Sequence, residues 1–466
     1  MEYRGDNAPA NQQTTIYGIA DSASVISIEE EEEQNEAEKE EKEESEVKED
    51  GYQASSPSCR QVCTFISLAL ALIMDNASYY MKEPFFPVVA KGHNVTEAEI
   101  GVIFGSHFLV ALLFSPVVGK FLPVFGTRRT FLTGLAIGVV TDVMFIYVKL
   151  CESRHAFFFA SLSTECVAAI GSAATDTAAL AIVAQVFPQN VAKMIGMVET
   201  FSGIACLFGQ PMGGLLYQFG GYELPFLAFG AITLICLVIN FILLPSIEKT
   251  SSSPGSLREL IRIRDVYPIC LFVFVVAFCD GFLQPILALK AYELDLSAAS
   301  VGVLFLLQGI VYTIFASMCG WIADSNGSYL NKPMALTGVF IISISFLVMG
   351  PSPIFSLTSE SMQTPVLAVG LSLMGVGLAM AYVPTYPELI GAAFDNGMVN
   401  DLKTQGVAAG LSMALFSLGS FIGPIAGSSA YQLLGFAYST SLASILCLFF
   451  GFIISIFYIW RTFSKT

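Results

Sequence analysis

Twelve apolar segments, each about 20 residues long or longer, alternate with short polar connections between residues 63 and 460. An apolar run of this length is what a helix needs to cross the hydrocarbon core of a bilayer, so each segment predicts a membrane-spanning helix. The predicted spans are residues 63–86, 98–122, 128–150, 156–186, 190–219, 224–245, 268–291, 299–322, 331–350, 364–390, 404–434 and 436–460.

One polar connection, SIEKTSSSPGSLRELIRIRD, is longer than the others and lies between the sixth and seventh spans. Within it, Ser256 and Glu259 have the spacing of a capping box, which predicts a short basic helix at the membrane surface. We therefore expect an all-α membrane protein of two six-helix halves. The expected divisions are a tail over 1–58, halves over 59–245 and 268–460, a linker over 246–267 and a short tail over 461–466.

Composition agrees with this class and shows where the charge lies. The 466-residue chain is 54% hydrophobic and 13% charged. This is more apolar surface than the core of a water-soluble protein can bury. Its net charge of -16 is concentrated in residues 1–58, which hold 17 of the 38 acidic residues and 4 of the 22 basic ones. The block EEEEEQNEAEKEEKEESEVKED predicts a disordered tail, and no cleaved signal peptide is expected before the first span. The ten cysteines have no metal-ligand spacing, and we expect no metal, no cofactor and no nucleic-acid partner.

Lysine and arginine residues are distributed unequally between the two sets of short connections. Thirteen lie on the side that holds both termini, and three, Lys91, Lys149 and Arg154, lie on the other. Because basic residues accumulate in cytoplasmic loops, both termini are predicted to be cytoplasmic.

A short repeat relates the two halves. The segment GQPMGGLLYQFGG in span five aligns without gaps with GPIAGSSAYQLLG in span eleven, so that Gly209 matches Gly423 and Gly213 matches Gly427. Small residues at this spacing let helices approach closely, and a proline among them marks a point of bending. The residues predicted to serve conformational change are Gly209, Pro211, Gly213, Gly214, Gly320, Asp324, Gly423, Pro424 and Gly427.

These motifs resemble a known family. Two parallel six-helix halves with the loop sequence GWIAD at Gly320–Asp324 are similar to the major facilitator superfamily. The segment DNASYYMKEPFFP, with Asp75 nine residues before Pro84, resembles the first helix of vesicular amine transporters. The runs VETFSG, GYELPF, VPTYPEL and DNG resemble the polyamine branch of that family. The resemblance implies a central cavity lined by spans one, four, seven and ten, and transport by alternating access.

Carboxylates occur on all four of the spans that the resemblance places around the cavity. A carboxylate inside a membrane helix is costly, so these residues are candidates for binding a cation or a proton. Aromatic faces add about 0.5–2 kcal/mol each to cation binding. The predicted substrate-binding residues are Asp75, Asn76, Tyr79, Asp280, Gln284, Tyr312, Tyr382 and Glu388, and the predicted proton-coupling residues are Asp75, Glu199, Glu165 and Asp176.

Each candidate has a structural alternative. Asp75 and Lys82 are seven residues apart, about two helical turns, so a polar network could hold both. Glu165 and Asp176 could instead pair within the bundle, and a stripe of tyrosines is often packing. Monoamine relatives carry an acid just before the proline of span seven, where this chain has Gln284. Asp280, one turn earlier, is expected to supply that charge.

The expected function is a proton-coupled antiporter of organic cations, most specifically of polyamines, that works as a monomer in the membrane of acidic vesicles or in the plasma membrane. A monoamine or cationic-drug antiporter is the first alternative, and a non-transporting receptor or scaffold of the same fold is the second. No phosphate-binding loop or nucleophile constellation is found, so an enzyme is not expected.

The predicted orientation has a direct test. A cysteine introduced near either terminus, in a variant whose ten native cysteines are replaced, is expected to react with an impermeant thiol reagent only after the cells are permeabilised. A terminus that reacts in intact cells or from the vesicle lumen would contradict both the charge rule and the twelve-span assignment.

Overall fold

The computed structural model describes residues 59–186, 191–244, 257–325, 330–350, 363–399 and 402–465. The chain divides into two units, Met1–Val62 and Cys63–Thr466, and the second contains the helix bundle. The predicted tail over 1–58 lies outside the described residues, as do Ser256 of the predicted capping box and the tip of each of four connections.

The described residues form helices throughout the bundle. In chain order the helices are α1 Cys59–Tyr80, α2 Phe86–Gly92, α3 Glu97–Phe125, α4 Thr127–Val148, α5 Arg154–Val186, α6 Val191–Gly220, α7 Glu223–Leu243, α8 Leu257–Arg262, α9 Val266–Glu293, α10 Ala298–Ser325, α11 Asn331–Met349, α12 Gln363–Tyr382, α13 Thr385–Asp395 and α14 Leu402–Lys465.

Ten helical stretches in the described part of the chain are long and apolar enough to cross a membrane. One of them, Thr404–Tyr458, has 55 residues and contains Gly435, whose φ of 74° breaks the helix, so it provides two crossings. The 30-residue α6 provides one more. The resulting twelve crossings confirm the predicted fold class.

The helix breaks have local causes in the sequence. Gly435 takes a left-handed conformation that glycine adopts without a steric penalty, and it lies between predicted spans eleven and twelve. Pro384 separates α12 from α13, as the two prolines of VPTYPEL predict. The first predicted span is different: α1 ends at Tyr80, six residues early, because Pro84 and Pro87 lead the chain through a turn into α2.

Each half has its own apolar core. In the first half, stacked rings join several helices: Phe85 packs on Tyr217 at 4.8 Å between ring centres, and Phe145 packs on Phe226 at 5.2 Å. In the second half, α9 lies at the centre and its buried side chains, among them Phe282, pack against α11, α12 and α14. Lipid tails are as apolar as these cores, so helix association depends on close packing rather than on exclusion of water.

Glycines produce that close packing at equivalent places in the two halves. In the first half, Gly209 and Gly213 of α6 lie against the α1 backbone at Ala77 and Met81. In the second half, Gly423 and Gly427 of α14 lie against the α9 backbone at Phe278 and Phe282. The repeat seen in the sequence is therefore a repeat of helix contacts.

The two halves meet along two related lines. Gly101 of α3 lies against the carbonyl of Pro424 in α14. Gly302 of α10 lies against α6 in the same way: a Cβ atom added to it would be 2.8 Å from the carbonyl oxygen of Gln210. Gly101 and Gly302 are each the fifth residue of their helix. The backbone amide of Ala98 in α3 also donates to Gln432 at 3.1 Å. These contacts close the bundle at the end where α3 and α10 begin.

The glycine contacts predict which substitutions are tolerated. Gly213→Ala places a methyl group against the Met81 backbone, which cannot yield as a side chain can, so we expect a loss of about 1–3 kcal/mol of unfolding free energy. Gly410→Ala is the control, because Gly410 is an exposed helical residue and an added methyl group would contact nothing. Its unfolding free energy should be unchanged or higher by about 0.5–1 kcal/mol. Thermal unfolding in detergent measures both. Equal behaviour of the two variants would contradict the close-contact interpretation.

Candidate functional site

The first carboxylate cluster lies inside the first half. Asp75 of α1 is buried and interacts electrostatically with Asp176 of α5, which is partly buried. Ser172 hydrogen-bonds the Asp75 carboxyl, whereas Asn76 hydrogen-bonds Asp176. The Oδ2 atom of Asp75 has no hydrogen-bond partner among the described residues. Asp75, Asn76 and Asp176, all predicted from the sequence, are therefore brought together.

A neighbouring acid is bound by a hydroxyl group. Asp142 of α4 is buried and accepts a hydrogen bond from the Ser78 hydroxyl at 3.2 Å. Gly230 of α7 lies against its side chain, so little room remains beside it. Asp142 accordingly packs between helices.

Lys82 has a partner that helical spacing does not predict. Its ammonium forms a buried ion pair with Glu165 of α5, whose other oxygen lies 2.9 Å from Nδ1 of His107 in α3. The ammonium also lies 4.7 Å from the centre of the Phe145 ring and 5.3 Å from that of Tyr79. Asp75 is thus not the partner of Lys82, and the two-turn network that the sequence left open is not formed.

Tyr79 belongs to the same aromatic environment. Its ring lies 4.6 Å from that of His107 and 5.2 Å from that of Phe108, centre to centre. Its buried hydroxyl has no hydrogen-bond partner in the described part of the chain. Tyr79 therefore packs beside the Lys82–Glu165 pair, and its hydroxyl can still form a hydrogen bond with a ligand.

The second half contributes an amide-bound carboxylate. Asp280 of α9 accepts a hydrogen bond from Gln284 at one oxygen and from Gln308 of α10 at the other, each at 3.1 Å. Tyr312, one turn after Gln308, is near enough to interact electrostatically with Asp280. The structure thus brings together the predicted residues Asp280, Gln284 and Tyr312.

A further buried acid, Glu83, was not among the sequence candidates. Its side chain is 0% exposed, lies in the turn between α1 and α2, and accepts a hydrogen bond from Gln210 of α6 at 2.5 Å. It interacts electrostatically with Asp280 of the other half. Alignment of the two halves would have identified Glu83 as a candidate. Glu83 precedes Pro84 as Gln284 precedes Pro285, so Glu83 and Gln284 occupy corresponding places in the two halves.

Other predicted residues lie apart from these groups. Glu388 of α13 pairs with Lys332 of α11 at 3.1 Å, and Tyr382 packs its ring 5.8 Å from that of Phe416. Of the motif residues, Gly320 has open space around its Cβ position. The side chains of Glu199 and Asp324 lie outside the described residues.

Ion pairs separate the acids into two kinds. Within the described residues, Glu165 and Glu388 each pair with a lysine, whereas no ion pair reaches Asp75, Asp176, Glu83 or Asp280. Acids of the second kind therefore have no cationic side chain to neutralise them in the described part of the chain.

Comparison with known proteins places the chain among membrane transporters. The profile of the Major Facilitator Superfamily matches residues 68–400. The human MFS-type transporter SLC18B1 is 32% identical over 405 residues, which are 86% of this chain and 87% of that protein. The rat synaptic vesicular amine transporter is 27% identical over 361 residues, which are 76% of this chain and 65% of that protein.

Solved structures agree on the fold. A bacterial homologue of the human lysosomal transporter Spinster, in an inward-facing and occupied conformation, superposes with a TM-score of 0.68. The match covers 87% of this chain and 98% of that one at 14% identity.

The ion pair of Lys82 predicts a pattern of stability changes. Lys82→Met leaves Glu165 buried without its lysine, which should cost about 3–5 kcal/mol, whereas Lys82→Met combined with Glu165→Leu should recover most of that loss. The exposed pair Lys149–Glu223 is the control, and Lys149→Met should cost about 1 kcal/mol or less. Thermal unfolding and membrane abundance of the variants measure the effect. A double variant as unstable as Lys82→Met would contradict the pairing.

Proposed function

The chain belongs to the Major Facilitator Superfamily of membrane transporters, and from this premise we propose that it exchanges protons for organic cations, most specifically polyamines. The observation that carries the proposal is the presence in both halves of carboxylates, buried at Asp75 and partly buried at Asp280, that pair with no cationic side chain in the described part of the chain. Because the members of this superfamily are transporters and not enzymes, the proposed role is transport.

Burial explains how one carboxylate serves both ions. In a low-dielectric site the charged form is disfavoured, so an acid without a cationic partner holds either a proton or a bound cation. Asp75 has one oxygen without a hydrogen-bond partner, and Asp176 beside it repels a second negative charge. Binding of an ammonium group at this pair therefore expels a proton, and protonation on the acidic side of the membrane releases the ammonium.

The contacts between the halves supply the alternating access. The bundle is closed where α3 and α10 begin, and the charge rule places that end opposite the cytoplasm. In this proposal the structure corresponds to the state that is closed on the side opposite the cytoplasm. Rocking about the glycine contacts of α6 and α14 would open the other end, with Pro211 and Pro424 as points of bending.

The relatives support a cationic amine as substrate and a vesicle as the location. Their names include a synaptic vesicular amine transporter and a vesicular acetylcholine transporter. Absence of the acid before Pro285, where Gln284 stands, argues for a polyamine rather than a monoamine. We also propose that both termini lie in the cytoplasm and that the protein works as a monomer.

Uptake into proteoliposomes with an imposed proton gradient tests the function. Spermidine uptake should exceed that of serotonin and of acetylcholine, and it should stop when the gradient is collapsed. Preferred uptake of serotonin would favour a monoamine antiporter, and no uptake of any cation would favour a receptor or scaffold.

Asp75 gives a residue-level test of the same proposal. Asp75→Asn keeps the size and hydrogen bonding but removes the exchangeable charge, so gradient-driven uptake should be lost and affinity should fall by about tenfold or more. Asp75→Glu should keep part of the activity. The matched control is Glu223→Gln, an exposed acid outside the site, which should transport normally. Normal uptake by Asp75→Asn would contradict the shared site.

A further inference from the structure

Three buried oxygen atoms near the contact between the halves have no hydrogen-bond partner among the described residues. They are Oε1 of Glu83, Oε1 of Gln284 and Oε1 of Gln308, on side chains that are 0%, 7% and 9% exposed. An unsatisfied buried acceptor destabilises the protein, so most buried polar atoms in proteins have a hydrogen-bond partner. All three accept hydrogen bonds, and a ligand that satisfies them must donate.

Two of these oxygens lie beside Asp280. Gln284 and Gln308 each use their amide nitrogen to hold one oxygen of the Asp280 carboxylate, so the oxygen of each amide is adjacent to that carboxylate. The amides thus fix the carboxylate and surround it with further acceptors.

Glu83 reaches the same place from the other half. Its carboxylate interacts electrostatically with Asp280, and both acids lie close enough to Cys206 of α6 to act on its thiol. Gln210 holds one oxygen of Glu83, and the carbonyl of the same glutamine lies against Gly302 of α10. The close contact of α6 with α10 therefore brings Glu83 towards Asp280.

No described cationic side chain is available to neutralise these acids. Lys82 interacts electrostatically with Glu83, but its ammonium group is bound by Glu165. A primary ammonium group carries three N–H donors, which match the three unsatisfied oxygens, and one positive charge, which neutralises one of the two carboxylates while the other holds a proton. A quaternary ammonium group has no N–H to donate, and an uncharged ligand would leave two carboxylates uncompensated.

We propose that Glu83, Asp280, Gln284 and Gln308 form a second ammonium subsite, distinct from the Asp75–Asp176 pair and specific for a primary ammonium group. Glu83 lies eight positions after Asp75, five along α1 and three in the hydrogen-bonded turn that follows it. This separation corresponds to about 12 Å at the rise of a helix, so one extended substrate can occupy both sites. The substrate is then a diamine or polyamine. This inference rests on the proposed function and adds to it the residue Glu83 and the need for two ammonium groups.

Ligands of equal chain length test the subsite on the wild-type protein. Octamethylenediamine should bind about tenfold or more tightly than octylamine, because only the diamine reaches both carboxylate groups. The same diamine with trimethylammonium groups at both ends should lose this advantage. Calorimetry on purified protein measures the three affinities, and spermidine uptake is measured in parallel.

The variant Glu83→Gln identifies the residue. It should lower the affinity for octamethylenediamine by about tenfold while changing that for octylamine by about twofold or less. Glu223→Gln is the control and should change neither. A purely structural role for Glu83 predicts equal losses for both ligands.

The outcomes separate this subsite from the function that it serves. Wild-type protein that takes up spermidine but binds octylamine as tightly as the diamine would overturn the subsite and leave the proposed function standing. Equal affinity for the trimethylated diamine would also overturn it. Wild-type protein that neither binds nor transports any of these amines would overturn both.

Discussion

A carboxylate inside a lipid-embedded helix bundle must be neutralised by a proton, by a cationic side chain or by a bound cation, because its hydration is lost. The described helices contain acids of two kinds. Lys82 neutralises Glu165, and Lys332 neutralises Glu388, whereas Asp75 and Asp280 have only hydroxyl and amide partners. The division between lysine-paired and unpaired acids separates the groups neutralised within the protein from those that we propose exchange a proton for a cation.

The same constraint explains why the helices must pack so closely. Lipid provides no hydrophobic force between helices, so the groups that hold the acids are brought together by backbone contacts. The glycine contacts of α6 with α1 and α10 bring Gln210 to Glu83, and those of α14 with α9 fix the helix that carries Asp280. Movement of one half against the other would therefore change the distance between Glu83 and Asp280, and so link ligand binding to the state of the closed end.

Much of the fold was predictable from the sequence because its signals are local. The span pattern, the break at Gly435, the interruption at Pro384 and the repeat of Gly209 with Gly423 all follow from runs of a few residues. Pairing between helices was less predictable. Asp75 and Lys82 share a helical face, yet Glu165 takes the lysine because helix neighbours and rotations place it there, and spacing within one helix carries no such information. Glu83 was missed because its match with Gln284 is visible only when the two halves are aligned, and its hydrogen bond to Gln210 joins two different helical segments.

In the proposed exchange at a shared carboxylate, substrate binding and proton release are a single event. Calorimetry of spermidine binding to purified protein, in two buffers of different ionisation enthalpy at the same neutral pH, counts the protons released on binding. Exchange predicts a net release for the wild-type protein, and a smaller release for Asp75→Asn at spermidine concentrations that restore binding. Tight binding of spermidine to the wild-type protein with the same enthalpy in both buffers would mean that no proton leaves, and would contradict the exchange.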